Sequence, residues 1–436
     1  MAAGERVPSP TDKALTIVEE LYNFRDHYIE SHGMEKAGNK ETDVQNKMNE
    51  SLAQLEDVKG DIKNKAQYHL LRGKILNITS KYNQEAEESL SKAVKLDPRL
   101  VEAWNHLGEC YWKKEDISAA KNCFTGALNH LKNKVSLRNL SMVLRQLSGS
   151  PREKIKLIEE SVERAKEAVH LDITDGTSWL ILGNAYLCQF FTAGQNPKVL
   201  KQCMQAYLQA EKDSVTRGNP DLHFNRAVAY QYQEEFQKAL NGYWTACQLD
   251  PSWSEATTKE TELVHYLSDC QTLTESKGKI KAKKLDTFIK QLVDRDLPQY
   301  KTVQSTNLTG QHVSLSHCKL LELQPKVNEG KIIVGKVVCT VNSSNPVPFT
   351  CCIVDEDQTC MCVTIYNLSL GAGMKIGDLL AIPEPVFNQI KISHKGKEIS
   401  FSGIRVDAPR LLVVNGRKLG INKEALPVLS VSNVSE

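Results

Sequence analysis

From Val101 the chain sets small, aromatic and apolar residues on a period of about 34 residues. Trp104, Leu107, Gly108, Tyr111, Ala120, Phe124 and Ala127 fall at positions 4, 7, 8, 11, 20, 24 and 27 counted from Val101. Helical spacing runs through each half, so the unit reads as two antiparallel helices joined by a turn. A second unit, starting near Asp221, carries Tyr230, Ala239, Tyr243, Ala246 and Pro251. The unit before Val101 shows Ala86, Leu90, Ala93 and Pro98, with one extra residue in its inter-helix turn. Small residues at positions 8 and 20 let the two helices cross closely, and aromatics fill the gap against the next unit. Proline near position 32 stops the second helix. One such hairpin cannot bury its apolar face alone, whereas a stack can.

This signature resembles the tetratricopeptide repeat (TPR), which implies a right-handed α-solenoid. Two further units are stretched. Trp179, Leu182, Gly183 and Tyr186 open one, and its second helix (Cys203, Tyr207, Ala210) arrives about eight residues late. The unit before it opens with Leu137 and Leu140 and closes with Ser161, Ala165 and Ala168, again about eight late. Each insert either lengthens the first helix or forms a loop at the solenoid edge. Leu15 to Ile29 and Val44 to Leu55 read as an irregular first pair, and Ser254 to Gln271 as a capping helix.

Beyond about Leu315 the pattern turns alternating and β-branched. Ile332–Val341, Phe349–Val354, Met361–Tyr366, Asp378–Pro383 and Glu398–Val406 read as strands, with turns at Asn342–Asn345 and Asp355–Asp357. Five strands in about 100 residues resemble an oligonucleotide/oligosaccharide-binding (OB) barrel. The fold class is therefore α+β multidomain: a TPR solenoid followed by an OB-like barrel. The expected domains are an irregular, degenerate pair over 1–65, repeats over 66–253, a capping helix and basic linker helix over 254–300, and the OB-like domain over 310–436. In that domain Phe349, Tyr366, Phe387 and Phe401 serve either as core or as a platform for single-stranded nucleic acid. Lys391, Lys395, Lys397 and Arg405 add modest charge.

Composition narrows the function classes. With 55 basic and 53 acidic residues the net charge is +2, so no global field draws the molecule to nucleic acid or membrane. The N-terminus lacks the apolar core of a signal peptide, and no run of about 18 apolar residues occurs, so no membrane partner is expected. Twelve cysteines without a C-x-x-C spacing read as reduced thiols of a cytoplasmic or nuclear protein. No metal site and no cofactor is expected. Gly371-Ala372-Gly373-Met374-Lys375 lacks the Walker A spacing, and no nucleophile motif occurs, so no catalytic residue is assigned.

Binding chemistry is better represented. In TPR geometry the first helix of each unit lines the concave groove through positions 2, 5, 9 and 12. Asp221 and Glu255 both fall at position 2 of their units, 34 residues apart. Arg138 and Arg145 fall at positions 5 and 12 of a stretched unit, two turns apart on one stripe, and Asn184 at position 9 of the next. A lone helix charge is ordinarily solvated, but together these describe an acidic wall and a basic wall suited to a short ligand of adjacent opposite charges. Lys277, Lys279, Lys281, Lys283 and Lys284 then place five lysines in eight residues, either a solvated linker or an electrostatic foot on phosphate such as RNA.

The stretches Lys92–Leu96, Asn139–Leu147 and Asn219–His223, and the terminal Leu411-Leu412-Val413-Val414-Asn415-Gly416, resemble the Strap family of TPR proteins. The resemblance implies a nuclear role, as a stress-responsive scaffold joining an acetyltransferase co-activator complex to the tumour-suppressor transcription factor. It also implies a cytoplasmic role, reading the Met-Arg-Glu-Ile/Cys start of nascent tubulin on the ribosome (rRNA and exit-tunnel proteins) and engaging an mRNA-decay adaptor. It implies that Arg145 meets the peptide glutamate, that Asp221 and Glu255 meet its charged start, and that Lys281 and Lys283 touch the ribosome. No Ser-Gln or Thr-Gln dipeptide occurs, which sets this chain apart from the family's implied phosphorylation by DNA-damage kinases. Three classes stay open: a peptide-reading ribosome factor, a transcriptional scaffold, and a binder of nucleic acid through the OB-like domain.

Overall fold

The computed structural model describes residues 9–293, 304–306, 312–342, 348–369 and 371–425. Most of the turn expected at Asn342–Asn345, and the end of the linker helix expected up to residue 300, lie outside the described residues. The helices are α1 (Pro10–Asp26), α2 (Tyr28–His32), α3 (Lys40–Val58), α4 (Lys65–Leu76), α5 (Gln84–Leu96), α6 (Val101–Lys113), α7 (Ile117–His130) and α8 (Lys134–Gln146). They continue as α9 (Pro151–Leu171), α10 (Gly176–Thr192), α11 (Pro197–Ala210), α12 (Ser214–Arg217), α13 (Pro220–Tyr232), α14 (Phe236–Leu249), α15 (Ser254–Glu275) and α16 (Ala282–Val293). The described chain packs as two compact units. One holds the helices up to Ala229 together with Gly242–Ala256; the other holds Tyr230–Asn241 and the chain from Thr257 onward.

In the helical unit the repeat signature acts through close contact. A Cβ added to Gly73, Gly108 or Gly183 would stand 2.5 Å from Leu90, Phe124 or Tyr207 respectively. Position 8 must be small so that the position-24 side chain can seat against the first helix. Helix starts are fixed locally. Asn64, Asn83, Asp116, Asn133 and Asp175 each accept a hydrogen bond from the backbone N–H three residues on, worth about 1 kcal/mol apiece.

The two stretched units spend their extra residues differently. In the first, the insert lengthens the second helix, which corrects the expectation of a longer first helix or a loop. Ser150 and Glu153 form a capping box, Pro151 takes the first turn, and α9 runs for 21 residues. In the other, α10 reaches 17 residues against 13 for α6, and α11 opens at Pro197, further ahead of Cys203 than α7 opens ahead of Ala120. The helix α12 was not foreseen.

The second unit is a barrel. Its strands are β1 (Gln304–Thr306), β2 (His312–Ser314), β3 (Ser316–His317), β4 (Lys326–Val327), β5 (Lys331–Thr340) and β6 (Phe349–Val354). Then follow β7 (Cys360–Ile365), β8 (Leu379–Pro383), β9 (Val386–His394), β10 (Lys397–Val406), β11 (Val413–Val414) and β12 (Arg417–Lys418). β5, β6 and β7 form an antiparallel meander, β10 joins β7 in parallel, β9 pairs antiparallel with β10, and β8 pairs with β5. Only Glu384 and Pro385 separate β8 from β9, and Glu384 takes φ 45°. The two are one bent strand that closes the sheet on itself, as in an OB barrel. The five expected strands are β5, β6, β7, β8 and β10; β9 was missed.

Both faces of β6 and β7 are buried. Cys351, Ile353, Val363 and Ile365 point into the core with Ile333, Leu380 and Ile404. Thr350, Cys352 and Cys362 on the opposite face are 2%, 0% and 1% exposed, because α15 lies over them. The Tyr266 hydroxyl meets Thr350 Oγ1 at 3.0 Å, and Thr274 Oγ1 meets Cys362 Sγ at 3.1 Å. The Gln271 side chain accepts from the Ser400 amide, and Glu260 pairs with His394 Nε2 at 2.6 Å. This corrects the stacking-platform alternative. Phe387 and Phe349 pack on the core, Phe401 is buried, and the Tyr366 ring carries the Arg405 guanidinium 4.0 Å above it. The modest positive charge expected there is partly spent too, since Arg405 pairs with Glu234 and Asp407, and Lys395 with Glu260.

Candidate functional site

The groove residues resolve into committed and uncommitted charges. Arg145, on the last turn of α8, donates from Nη1 to Ser141 Oγ at 3.2 Å, Ser161 Oγ at 3.3 Å and the Ile181 carbonyl at 3.4 Å. All three partners are neutral and all three bonds are long. Burial pulls the guanidinium below its ordinary range, and no carboxylate pairs with it among the described residues. Ser141 and Ser161 occupy the small positions of this unit, where the others carry glycine, alanine or, in the next unit, Cys203, and their hydroxyls meet at 3.0 Å. Sequence reasoning used Ser161 only as a repeat marker and passed over Ser141. Their signal was a hydroxyl at positions that ask only for small volume.

Tyr207 links Arg145 to Asn184. Its ring is fully buried against Gly183, its hydroxyl donates to Asn184 Oδ1 at 2.9 Å, and burial drives its pKa far up. The carboxamide of Asn184 is thereby oriented, with its N–H groups making no hydrogen bond among the described residues. Arg145, Tyr207 and Asn184 share one electrostatic neighbourhood across α8, α10 and α11.

Arg138 behaves otherwise. Its Nη1 lies 3.0 Å from Asp175 Oδ2, and Lys134 pairs with both Asp172 and Asp175. Asp175 is also the N-cap of α10, bonded to both the amide and the hydroxyl of Ser178. Arg138 thus fastens one unit to the next, and its charge is neutralised.

Asp221 sits in the first turn of α13, open to solvent yet crowded by protein atoms. Burial and the like charge of Asp250 both push its carboxyl up from 3.8. Glu255 is exposed in the first turn of α15. No hydrogen bond or ion pair joins either acid to Arg145 among the described residues. The first helical pair reaches the same region: Glu30 bonds to Ser214, and Lys40 feels both Asp250 and Arg25. The superhelix thus returns its N-terminal segment toward the end of α14.

The lysine run is a built turn at Lys277–Lys279 that leads into the first turn of α16. Lys277, Gly278 and Lys279 all take positive φ (48°, 69° and 56°), and a Cβ on Gly278 would stand 2.7 Å from Cys339 Cβ on β5. Only glycine lets the turn approach the barrel so closely. Downstream, Phe288 and Leu292 are buried, Leu292 against β5 and β8. Between these anchors Lys279, Lys281, Lys283 and Lys284 are exposed and Lys277 is half-buried, and none of the five makes an ion pair among the described residues.

The model of the tetratricopeptide repeat protein 5 OB fold domain matches residues 314–427, and that of the tetratricopeptide repeat matches 66–100 and 101–129. Tetratricopeptide repeat protein 5 of Homo sapiens is 47% identical over 428 residues, covering 98% of this chain and 97% of its own length. The Bos taurus protein of the same name is 48% identical over 423 residues, covering 97% and 96%. The chain belongs to the tetratricopeptide repeat protein 5 family. Among solved structures, YrrB, a TPR protein with an unusual peptide-binding site, aligns at 22% identity and a TM-score of 0.31 over 48% of this chain and 97% of its own. Membership of the tetratricopeptide repeat protein 5 family makes the chain a TPR protein-interaction adaptor, a class that points to binding rather than catalysis.

Proposed function

We propose that this adaptor reads the N-terminal Met-Arg-Glu-Ile/Cys peptide of nascent tubulin on translating ribosomes and promotes decay of the message being translated. The observation that carries the proposal is Arg145: a half-buried cation offered only neutral oxygens among the described residues. A ligand glutamate would supply the missing counter-charge through charge-assisted bonds of about 1.5–3 kcal/mol. Asp221 and Glu255 would receive the α-amine and arginine of the peptide, and Asn184 would hold its backbone. Burial and Asp250 hold the Asp221 carboxyl above its ordinary value, so a ligand cation there would favour its charged form.

Such a short ligand gives weak binding, so a second contact is required. The exposed lysine turn is a rigid cationic surface for ribosomal RNA. Joining two weak contacts through one chain raises the effective concentration of the second, so that only a ribosome presenting this peptide is held. The reading places the action in the cytoplasm and leaves mRNA cleavage to a recruited decay adaptor.

The test is ribosome co-sedimentation of the full chain. Lys281→Glu with Lys283→Glu should lower association and flatten its salt dependence, while the melting temperature stays put. Unchanged association with the double reversal would mean the turn touches no phosphate backbone.

A further inference from the structure

A cavity of about 720 Å³ opens between the end of α3 and the sides of α4 and α5. The groove register of α4 falls on Gln67, Leu70 and Lys74, and none of these lines the cavity, so it is a separate surface. Its acids are occupied. Glu56 accepts from the Tyr68 hydroxyl at 2.5 Å and from Lys59 Nζ at 2.9 Å. Glu85 takes Arg72 Nη2 at 2.6 Å, and Glu88 accepts from Gln84. The bases are less well matched. Lys65 and Lys92 are exposed on the rim and make no ion pair among the described residues. Between them His69 lines the cavity, and its Nδ1 has no hydrogen-bond partner among the described residues. Desolvation, followed by the positive field of Lys92, Arg72, Lys59 and Lys65, holds the imidazole below 6.5.

We propose that this cavity binds an acidic peptide segment of a partner protein, with Lys65 and Lys92 taking its carboxylates beside His69. The volume lies in the range of ligand-binding pockets, about 300–1,000 Å³. Nucleic acid would call for an extended basic stripe rather than a hole between three helices. Carboxylates would complete the field around His69, so binding should draw a proton onto the ring and strengthen as pH falls toward the free imidazole's lowered value. Because this surface is separate from the groove, the adaptor would hold a partner while reading a peptide.

The experiment is fluorescence anisotropy of the full chain with fluorescein-labelled hexaglutamate at physiological ionic strength. Saturable binding by the wild type is expected. Lys65→Glu with Lys92→Glu should weaken it at least tenfold with an unchanged melting temperature, whereas Lys95→Glu, an exposed lysine outside the cavity, should not. His69→Gln should retain binding at pH 8 and lose the strengthening at lower pH. No saturable binding by the wild type overturns the proposal, as does equal weakening by Lys95→Glu. Displacement of the peptide by inorganic phosphate at lower concentrations than by free glutamate would also overturn it, marking a phosphate site instead.

Discussion

Replacing Arg145 with methionine separates a binding role from a structural one. Methionine keeps the length and apolar stem of the side chain and removes the guanidinium. In the free protein that guanidinium makes three bonds of 3.2–3.4 Å, all to neutral oxygens, and bears a desolvation cost with no counter-ion among the described residues to offset it. Exchanging such a buried charge for an apolar side chain is about neutral, or stabilising by about 1 kcal/mol or more. In the complex the same group would hold a carboxylate, so its loss should cost about 2–3 kcal/mol, roughly 30- to 150-fold in affinity. The assay is anisotropy with a peptide beginning Met-Arg-Glu-Ile, repeated with the peptide glutamate changed to glutamine, while unfolding is followed by urea titration. The two changes should be non-additive, the glutamine peptide losing affinity for wild type and little for the variant. If the variant binds within threefold of wild type, if the losses simply add, or if it unfolds about 2 kcal/mol more easily, Arg145 is a packing residue and the groove assignment fails.

Asp221 carries a raised carboxyl pKa, so the folded state holds its proton more tightly than the unfolded chain does. Stability is therefore lost as pH rises from 3.8 through the raised value. Asp221→Asn should raise the melting temperature at pH 7, lose that advantage below about pH 3.8, and weaken peptide binding; a lower melting temperature at pH 7 contradicts the sign. Gly183→Ala drives a methyl to 2.5 Å from the Tyr207 ring, so about 1–3 kcal/mol of destabilisation by denaturant titration is expected, with a parallel loss of affinity as Asn184 is released. Neutral behaviour in both would show that Tyr207 is not pinned. Arg405→Ala strands Glu234, 7% exposed, among Tyr366 and Asn388, and should destabilise the barrel unit by about 3–5 kcal/mol in calorimetry. A loss under 1 kcal/mol would mean that Glu234 takes up a proton at little cost.

The solenoid was legible because its constraints are local and repeated. Gly73, Gly108 and Gly183 must be small for Leu90, Phe124 and Tyr207 to seat, and that requirement is written at fixed spacing. Arg145, Asn184 and Asp221 were placed by the same register. The fate of Arg138 was not legible, since its partner Asp175 stands 37 residues away as the cap of another helix. The strand β9 was hidden by Glu384-Pro385, which reads as a chain break and is a bend. Nor did the barrel sequence reveal that α15 covers it. Thr350, Cys352 and Cys362 suit either a solvated or a covered face, and only the pairing with Tyr266 and Thr274 decides which.

The central claim is that one chain recognises a nascent tubulin peptide and the ribosome that carries it. Its most direct test is to recover full-length wild-type protein and Arg145→Met from translating cell lysate and sequence the messages on the ribosomes that come with each. The account predicts tubulin messages strongly enriched with wild type and at background with the variant. Ribosomes recovered without tubulin enrichment, or the same enrichment with Arg145→Met, would contradict it.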